Sequence, residues 1–300
     1  MNDLIRRIEE SEDKIIKVSD GRKISYLDLG TKEGIPTFFF HGSPGSRYEG
    51  LFSEGGASKH NFRILSLDRP GFGKSDFKSK YSLLDYNNDI MEIADSLGFD
   101  KFGVIGISGG GTSVLSAAYD IPERLLFAVD LCGWAPVYKT GLAEYMAPLD
   151  KFFSKIARFS PKLFRLPFSY LGKKAKSEDK QEFLDLIKSS FGDADLEIIK
   201  DEEIAEFFVR DMKEAFSQGS KGPSWDAVIR YREWGFKLED IDFKIHIFHG
   251  TEDKFVPMPF VEYKKEHLED WEYTEYEDQG HLYILTKLNE ILGKLISFLE

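Results

Sequence analysis

The sequence KFGVIGISGGGTSVLSAA at Lys101–Ala118 contains the most informative pattern in this chain. Phe102–Ile107 is a short apolar run of strand length, and the small residues from Gly111 onward favour a helix. Ser108 lies between them, inside Gly106-Ile107-Ser108-Gly109-Gly110. The pattern predicts a strand, a sharp turn and a helix, with the serine in a strained conformation that requires flanking glycines. Such a turn projects the hydroxyl away from the sheet and directs the first N–H groups of the helix toward the same point.

The composition is that of a globular protein. The chain has 300 residues, of which 42% are hydrophobic and 31% charged, so it can form one domain with an insertion or two domains. A net charge of −12 argues against a nucleic-acid-binding protein, which would normally present a basic face. Cys132 is the only cysteine, which excludes an intramolecular disulfide and a cysteine-rich zinc site. Its apolar surroundings in the sequence predict a small core residue.

The amino-terminal sequence MNDLIRRIEESEDK lacks the apolar stretch of a secretory signal. No segment approaches eighteen uninterrupted apolar residues, so we expect no membrane span. Together with the single cysteine, these features favour a reducing, cytoplasmic location.

Strand and helix patterns alternate over most of the chain. The predicted strands are Lys14–Ser19, Lys23–Leu29, Thr37–Phe40, Phe62–Leu67, Phe102–Ile107, Leu125–Leu131, Lys244–Phe248 and Glu272–Tyr276. The predicted helices are Ser82–Leu97, Gly111–Tyr119, Pro257–Leu268 and Leu285–Leu299, and Ser46–His60 is expected to be a loop or weak helix. The first two strands are joined across an Asp-Gly pair, which favours an antiparallel hairpin. The alternation that follows predicts an α/β fold, with a mostly parallel sheet and helices on both faces.

The middle of the chain differs from the rest. Residues 136–235 have a helical pattern without a convincing strand, and their 12 Lys and 5 Arg balance 8 Asp and 9 Glu. We therefore predict a core domain formed by residues 1–135 and 236–300, with residues 136–235 inserted as a helical cap between strands of one sheet.

A serine hydroxyl is a weak nucleophile and needs a neighbouring base that a third group orients. Of the six histidines, His281 is the best candidate for the base, because it lies between the last strand and the last helix. Parallel sheets gather functional residues at the carboxyl ends of their strands, so this loop is expected to reach Ser108. The remaining histidines are assigned to packing, to the surface or to local hydrogen bonding: His41, His60, His246, His249 and His267.

Three carboxylates could orient the base. Asp253 fits best, because it follows the Lys244–Phe248 strand in a loop that is free to turn toward the site. Glu252 beside it is a possible substitute. Asp130 is the stronger competitor, but it lies within a strand, where the pleat holds a side chain to one face. The alternative role for Asp130 is that of a structural carboxylate.

The oxyanion that forms when a serine attacks a carbonyl needs two hydrogen-bond donors. The Gly109 amide directly follows the nucleophile and is one candidate. The second should come from the loop after Thr37–Phe40, which reads HGSPG. Since Pro44 has no N–H, the Ser43 amide is the natural candidate there.

Five motifs together resemble the α/β-hydrolase fold family, in its capped form with a Ser-His-Asp triad. They are HGSPGS, DRPGFGKSD at Asp68–Asp76, GISGG, HGTEDKFVP and DQGH, and they occur in the family's order. The resemblance covers Lys23–Leu131 and Ile241–Leu299. It implies a small-molecule substrate, catalysis by Ser108, His281 and Asp253 through an acyl-enzyme, and neither a metal nor an organic cofactor.

The residue at the elbow distinguishes the reactions within this family. Haloalkane dehalogenases and epoxide hydrolases have aspartate where this chain has Ser108, which disfavours both. HGSPG differs in one residue from the HGGPG of proline iminopeptidases, but GISGG departs from their GGSWG. We therefore expect an esterase or related acyl hydrolase. The alternatives are an aminopeptidase of the proline iminopeptidase type, a carbon–carbon bond hydrolase, a cofactor-free perhydrolase, and a small-ligand receptor that retains a slow hydrolase site. The sequence indicates neither the particular substrate nor the oligomeric state.

Overall fold

The structure is a computed structural model that describes residues 3–188 and 191–299. Its described residues form one eight-stranded sheet: β1 (Lys14–Lys17), β2 (Lys23–Gly30), β3 (Ile35–Phe40), β4 (Phe62–Leu67), β5 (Phe102–Ile107), β6 (Leu125–Leu131), β7 (Ile245–Gly250) and β8 (Trp271–Tyr276). The order across the sheet is β1-β2-β4-β3-β5-β6-β7-β8. β2 pairs antiparallel with β1 and with β4, and the other pairs are parallel.

The helices before the insertion are α1 (Asp3–Glu10), α2 (Glu54–Lys59), α3 (Leu83–Ser96) and α4 (Gly111–Asp120). Those of the insertion are α5 (Pro148–Phe159), α6 (Pro161–Ala175), α7 (Lys180–Lys188), α8 (Asp193–Ile199), α9 (Glu202–Ala215) and α10 (Lys221–Arg230). They are followed by α11 (Met258–His267) and α12 (Ile284–Leu299). Short 3-10 helices lie at Arg47–Ser53, Ser108–Gly110, Pro122–Arg124, Leu142–Tyr145, Leu238–Asp240 and His281–Tyr283.

Helices cover both faces of the sheet. All six residues of β5 are buried, which explains why its sequence is apolar throughout. On one face, Ile90 of α3, Leu115 of α4 and Val261 of α11 belong to a single apolar core. On the other face, Ala57 of α2 and Ile291 of α12 belong to a second core. Each fully buried large aliphatic side chain contributes about 1.5–3 kcal/mol. The predicted α/β fold is therefore confirmed.

The element boundaries differ from the prediction in a few places. The amino-terminal helix α1 was not predicted, and the expected weak helix at Ser46–His60 consists of the Arg47–Ser53 3-10 helix followed by α2. β7 ends at Gly250, two residues beyond the predicted Phe248, which leaves only a short turn before Asp253. α3 begins after Ser82, whose hydroxyl accepts a hydrogen bond from the Asp85 amide in a capping box.

The segment 136–235 connects β6 to β7. In the part of it that the structure describes, α5–α10 and the Leu142–Tyr145 3-10 helix are the regular elements; residues 189 and 190 lie outside the described residues. We call this segment the helical insertion. It contributes to two further apolar cores, around Phe216 and around Phe164, which also contain residues from outside the segment, such as Phe72 and Phe260. None of the described helices combines the length and apolar character needed to cross a bilayer.

Candidate active site

Ser108 occupies a strained turn at the end of β5. Its φ is +52°, in the left-handed region that non-glycine residues rarely adopt. The chain around it passes so close to itself that side chains cannot be accommodated: a Cβ on Gly106 would collide with the Gly110 carbonyl, and a Cβ on Gly110 would collide with the Phe40 carbonyl. The glycines on either side of Ser108 are therefore required by space, and α4 starts immediately beyond them.

His281 and Asp253 are joined by a hydrogen bond. The distance from His281 Nδ1 to Asp253 Oδ2 is 2.7 Å. The other carboxylate oxygen, Oδ1, accepts hydrogen bonds from the amides of Phe255 (2.8 Å) and Val256 (2.9 Å). Both oxygens are thus occupied, and the carboxylate has one fixed orientation toward the ring.

The charges of the two groups stabilise each other. Burial alone would raise the pKa of Asp253, but the His281 ring and the surrounding donors lower it below its ordinary value. Burial alone would lower the pKa of His281, but the Asp253 carboxylate raises it above its ordinary value. Asp253 therefore remains ionised at neutral pH and favours a proton on Nδ1 of the ring.

The Nε2 atom of His281 makes no hydrogen bond to any described residue, and neither does the Ser108 hydroxyl. Ser108 and His281 are 9% and 8% exposed, so both lie just below the surface. An unoccupied ring nitrogen opposite the Asp253 contact can accept a proton from a nucleophile.

The competing carboxylates are engaged elsewhere or exposed. Asp130 accepts a hydrogen bond from Lys264 Nζ at 2.5 Å, and both side chains are fully buried. Lys264 also donates to the Gly133 carbonyl at 2.9 Å, so the pair ties α11 to the end of β6. Glu252 is exposed. Of the three candidates, the structure brings only Asp253 to the His281 ring.

Two other histidines near strand ends make local hydrogen bonds. His249 Nε2 is 2.8 Å from the Val256 carbonyl and 3.5 Å from Asp253 Oδ2, so its ring supports the Asp253 loop. His41 Nε2 accepts a hydrogen bond from the Arg69 amide at 3.1 Å. Burial lowers the pKa of both rings, which are therefore neutral at physiological pH.

The backbone segments that contain the two predicted oxyanion donors approach each other closely. A Cβ placed on Gly109 would lie 3.3 Å from the Ser43 amide nitrogen. The Ser43 hydroxyl donates to Asp226 Oδ2 of α10 at 2.5 Å, and Arg69 Nε donates to Asp226 Oδ1 at 2.9 Å. Arg69 also donates to the Gly42 carbonyl at 2.9 Å. The loop that contains the Ser43 amide is thus held by a buried ion pair with the helical insertion.

Arg230 is a site residue that the sequence analysis did not identify. It is 5% exposed, and its guanidinium lies 5.4 Å from the centre of the Trp134 ring. A Cβ on Gly109 would collide with Arg230 Nη1, so the cation lies directly beside the elbow. The only local signal was Asp226 four residues earlier, which indicates an ordinary surface pair on a helix.

Glu49 and Asp211 form a second unpredicted feature beneath the Ser43 loop. Glu49 Oε2 accepts from the Gly42 amide at 2.7 Å, and Asp211 Oδ1 accepts from the Ser46 amide at 3.0 Å. Burial raises the pKa of Glu49 to about 7, against the opposing effects of the Gly42 amide, Arg69 and His281. Burial and the Glu49 charge raise the pKa of Asp211 above its ordinary value. These two carboxyl groups therefore retain a proton at pH values where isolated carboxyls are ionised.

The helical insertion also contacts the His281 loop. Asp195 of α8 is fully buried, and its Oδ1 accepts from the Leu282 amide at 2.7 Å. Burial raises the pKa of Asp195, while this hydrogen bond and the His281 charge oppose the shift. Asp195 thereby fixes the backbone immediately after the candidate base.

One group of described residues could offer three ligand atoms to a metal: Cys132, Asp253 and His281, whose donor atoms lie within 4.8 Å of one another. His281 Nδ1 and Asp253 Oδ2 already share a proton at 2.7 Å. A metal bound there would displace that proton, so metal binding and the hydrogen bond exclude each other.

A family model described as "alpha/beta hydrolase fold" matches residues 36–288. The chain therefore belongs to the α/β-hydrolase fold family, and the predicted family and enzyme class are confirmed. It is 26% identical to a non-heme chloroperoxidase of Streptomyces lividans over 251 residues, which cover 81% of this chain and 83% of that protein. It is 32% identical to a proline iminopeptidase of Neisseria gonorrhoeae over 120 residues, which cover 37% of this chain and 36% of that protein. An esterase structure from Exiguobacterium antarcticum superposes with a TM-score of 0.70 at 20% identity, covering 96% of this chain and 99% of that one.

Proposed function

We propose that the protein is a serine hydrolase that cleaves an ester or related acyl substrate. The observation that carries the proposal is the 2.7 Å hydrogen bond between His281 Nδ1 and Asp253 Oδ2, made at the same end of the sheet as the strained elbow that presents Ser108. A base with an occupied Nδ1 and an open Nε2 is suited to take a proton from a serine hydroxyl.

In the first step, Ser108 Oγ attacks the substrate carbonyl carbon while its proton passes to His281 Nε2. The carbonyl oxygen becomes an oxyanion that accepts hydrogen bonds from the Gly109 and Ser43 amides; each such donor is worth roughly 3 kcal/mol. The carbon–oxygen bond to the leaving alcohol then breaks, and the alcohol takes the proton from His281. In the second step water attacks the carbonyl carbon of the acyl-enzyme and gives a proton to His281. The bond between that carbon and Ser108 Oγ then breaks, Ser108 Oγ takes the proton back from His281, and the acid is released.

We further propose that residues 136–235 act as a cap over this site. Two contacts support this: Asp226 of α10 binds the Ser43 hydroxyl, and Asp195 of α8 binds the Leu282 amide beside the base. Substitutions on the faces of the helical insertion that line the site should change substrate choice more than reactivity toward small probes.

Labelling by a fluorophosphonate, read by intact mass, tests the nucleophile. We expect one adduct on the native protein and none on Ser108→Ala. Ser113→Ala is the matched control, since Ser113 is also buried and lies five residues further along, on α4. Labelling that survives Ser108→Ala would exclude the proposal. Labelling without turnover of any ester, but with a ligand-induced rise in melting temperature, would favour a receptor.

The similarity to the chloroperoxidase over 81% of the chain favours one second candidate, a cofactor-free perhydrolase. Here hydrogen peroxide replaces water as the attacking nucleophile, and the acyl-enzyme yields a peroxy acid. Adding peroxide to the ester assay and measuring peroxy acid against carboxylic acid separates the two reactions. Aminoacyl amides in the same panel test the peptidase alternative, which the HGSPG motif and the match to the iminopeptidase keep open.

A further inference from the structure

Arg230 is a buried cation with no counter-ion among the described residues. Its Nε atom is fully buried and has no hydrogen-bond partner, and no carboxylate of the described residues lies within ion-pair distance of the guanidinium. The nearest acid along α10 is Asp226, whose two oxygens are taken by Arg69 and Ser43. Asp150 responds to the Arg230 charge, but burial raises the pKa of Asp150 and the two groups form no ion pair.

This guanidinium lies beside the two candidate oxyanion donors. Trp134 packs against the guanidinium at 5.4 Å, and Nη1 lies against Gly109 and Ser43, the two candidate oxyanion donors. Apart from Lys221 and Trp225, the residues of α10 are buried, so the Arg230 side chain cannot turn to solvent without breaking this packing.

Burying an unpaired charge is strongly unfavourable, because the charge loses its water without gaining a partner. A bound anion would supply the missing partner, and a carboxylate matches the planar fork of donors on a guanidinium. We propose that Arg230 binds a carboxylate of the substrate, which is therefore an ester of a short dicarboxylic acid or a similar anionic acyl compound. This inference rests on the proposed function, because Ser108 must act on the same molecule. Because Nη1 touches Gly109, the carboxylate lies only a few bonds from the scissile carbonyl.

The test compares two esters of equal acyl length, 4-nitrophenyl butyrate and 4-nitrophenyl hemisuccinate. The native protein should have the higher kcat/KM on the hemisuccinate. Arg230→Gln should lose roughly 100-fold on the hemisuccinate, as expected for a charge-assisted hydrogen bond, and less than about threefold on the butyrate. Arg232→Gln is the control: Arg232 is half-buried, lies two residues further on, and should leave both values unchanged.

Each other result is also decisive. An equal loss of kcat/KM on both esters would mean that Arg230 acts on the oxyanion or on folding. A native preference for the butyrate would exclude an anionic substrate. Either result overturns the inference and leaves the proposed hydrolase function standing. If Ser108 is not labelled and neither ester is cleaved, the proposed function fails. In that case succinate should still raise the melting temperature of the native protein and leave that of Arg230→Gln unchanged. If the two proteins do not differ in this way, the proposed carboxylate-binding role of Arg230 is overturned as well.

A separate observation concerns the surface of α5 and α6. Residues 151–176 contain eight Lys or Arg and no Asp or Glu, in a chain whose net charge is −12. Among them lie five of the most exposed large apolar side chains: Phe152, Phe159, Leu163, Leu166 and Tyr170. We call this segment the basic hairpin.

The apolar and basic side chains share one surface. A shallow groove of about 520 Å³ is lined by Lys155, Ile156, Phe159, Leu163, Leu166 and Pro167, and thus joins the outer faces of the two helices. The inner faces are buried through Ala157 and Phe164. Among the described residues, Glu144 and Glu182 pair with Lys151 and Lys174, and the other six cations have no carboxylate partner.

Exposed aromatic and aliphatic side chains surrounded by Lys and Arg are the chemistry that binds an anionic lipid surface. A symmetric dimer through the same face would oppose two sets of like charges, which disfavours a second copy as the occupant. We infer that the basic hairpin docks the protein on anionic membranes, without crossing them. Since α6 packs on α10, docking takes place one helix away from Arg230.

Co-sedimentation with vesicles of phosphatidylcholine, with or without phosphatidylglycerol, tests this inference. The native protein should bind only the anionic vesicles, and less at high salt. Binding should fall at least about tenfold in the triple variant K155E, K162E and K173E. The control variant K17E, K59E and K101E changes the net charge equally at exposed lysines elsewhere and should still bind.

A second variant separates the apolar contribution from charge: F159S, L163S and L166S should also weaken binding. Equal binding by the two lysine variants would overturn the inference. The inference would also be overturned if the native protein did not bind anionic vesicles but formed a dimer that the serine substitutions dissociate. The face would then be a protein interface.

Discussion

Exchanging Asp253 for asparagine is a direct test of how the base is oriented. In the native structure Oδ1 is held by the Phe255 and Val256 amides, so the amide of Asp253→Asn would place its oxygen there and its NH₂ group toward His281. At 2.7 Å from Nδ1, that NH₂ group must donate, which forces the ring proton onto Nε2. Nε2 is then unable to accept the Ser108 proton.

The expected loss is large and confined to catalysis. A base in the wrong tautomer lowers kcat by about 10⁴-fold, equivalent to about 5.5 kcal/mol of activation free energy. KM and the melting temperature should change little, because the amide retains the shape and the hydrogen bonds of the carboxylate. The assay is steady-state hydrolysis of a 4-nitrophenyl ester, together with thermal unfolding of the same samples.

Asp130→Asn is the matched control, because Asp130 is a second buried aspartate near a strand end. Its loss leaves Lys264 buried without a counter-charge, which should destabilise the fold by about 3 kcal/mol and lower the melting temperature by roughly 5–10 °C. The folded fraction should retain a near-native kcat. A kinetic loss that follows Asp130 and spares Asp253 would refute the reasoning, although Ser108 and His281 could still act together.

Three further outcomes follow from the site. Because Asp253 raises the pKa of His281 and a base must be neutral, kcat/KM should fall with decreasing pH along a limb that lies above pH 6.5; a limb at or below that value contradicts the assignment. Glu49 has a pKa of about 7 in the folded state and about 4.5 in the unfolded state, so the folded state binds more protons between these values. The free energy of unfolding should therefore fall as the pH rises through this interval, by up to about 3 kcal/mol. Glu49→Gln should flatten this slope in chemical denaturation, and an unchanged slope would show that Glu49 does not cause it. Asp195→Ala should lower the free energy of unfolding by about 1–3 kcal/mol, because the buried Leu282 amide is left without an acceptor. Asp195→Asn keeps an acceptor oxygen and should not lower it. Equal losses in the two variants would mean that the charge of Asp195, and not its hydrogen bond, stabilises the fold.

The sequence predicted those parts of the molecule that are determined by neighbouring residues or by the topology of the sheet. The elbow was predictable because Gly106 and Gly110 are required by contacts made within a few residues or with the adjacent strand. The loops of Asp253 and His281 were predictable because parallel topology gathers strand ends at one edge of the sheet. Their 2.7 Å contact agrees with that expectation, and their catalytic roles remain predictions.

The parts that were not predicted depend on contacts between distant segments. Arg230 lies beside Gly109, more than one hundred residues away in sequence, and its helix shows no pattern that distinguishes a site-facing cation from a surface one. The raised pKa of Asp211 of α9 likewise depends, after burial, on the charge of Glu49, which no spacing rule associates with it. The weak pattern at Ser46–His60 concealed the 3-10 helix that positions Glu49.

The ties between the helical insertion and the sheet have a consequence for unfolding and for access. Asp211 and Glu214 bind the Ser46 and Arg47 region, with Arg47 Nη1 2.6 Å from Glu214, and the contacts of Asp226 and Asp195 lie on either side of the site. Swinging the whole segment outward would expose several of these charges together and leave Arg47 short of a partner. The two parts should therefore melt in a single cooperative transition and resist limited proteolysis at their junctions. Substrate must then reach Ser108 through local movement of side chains or single helices, while the oxyanion loop and the base remain held in place.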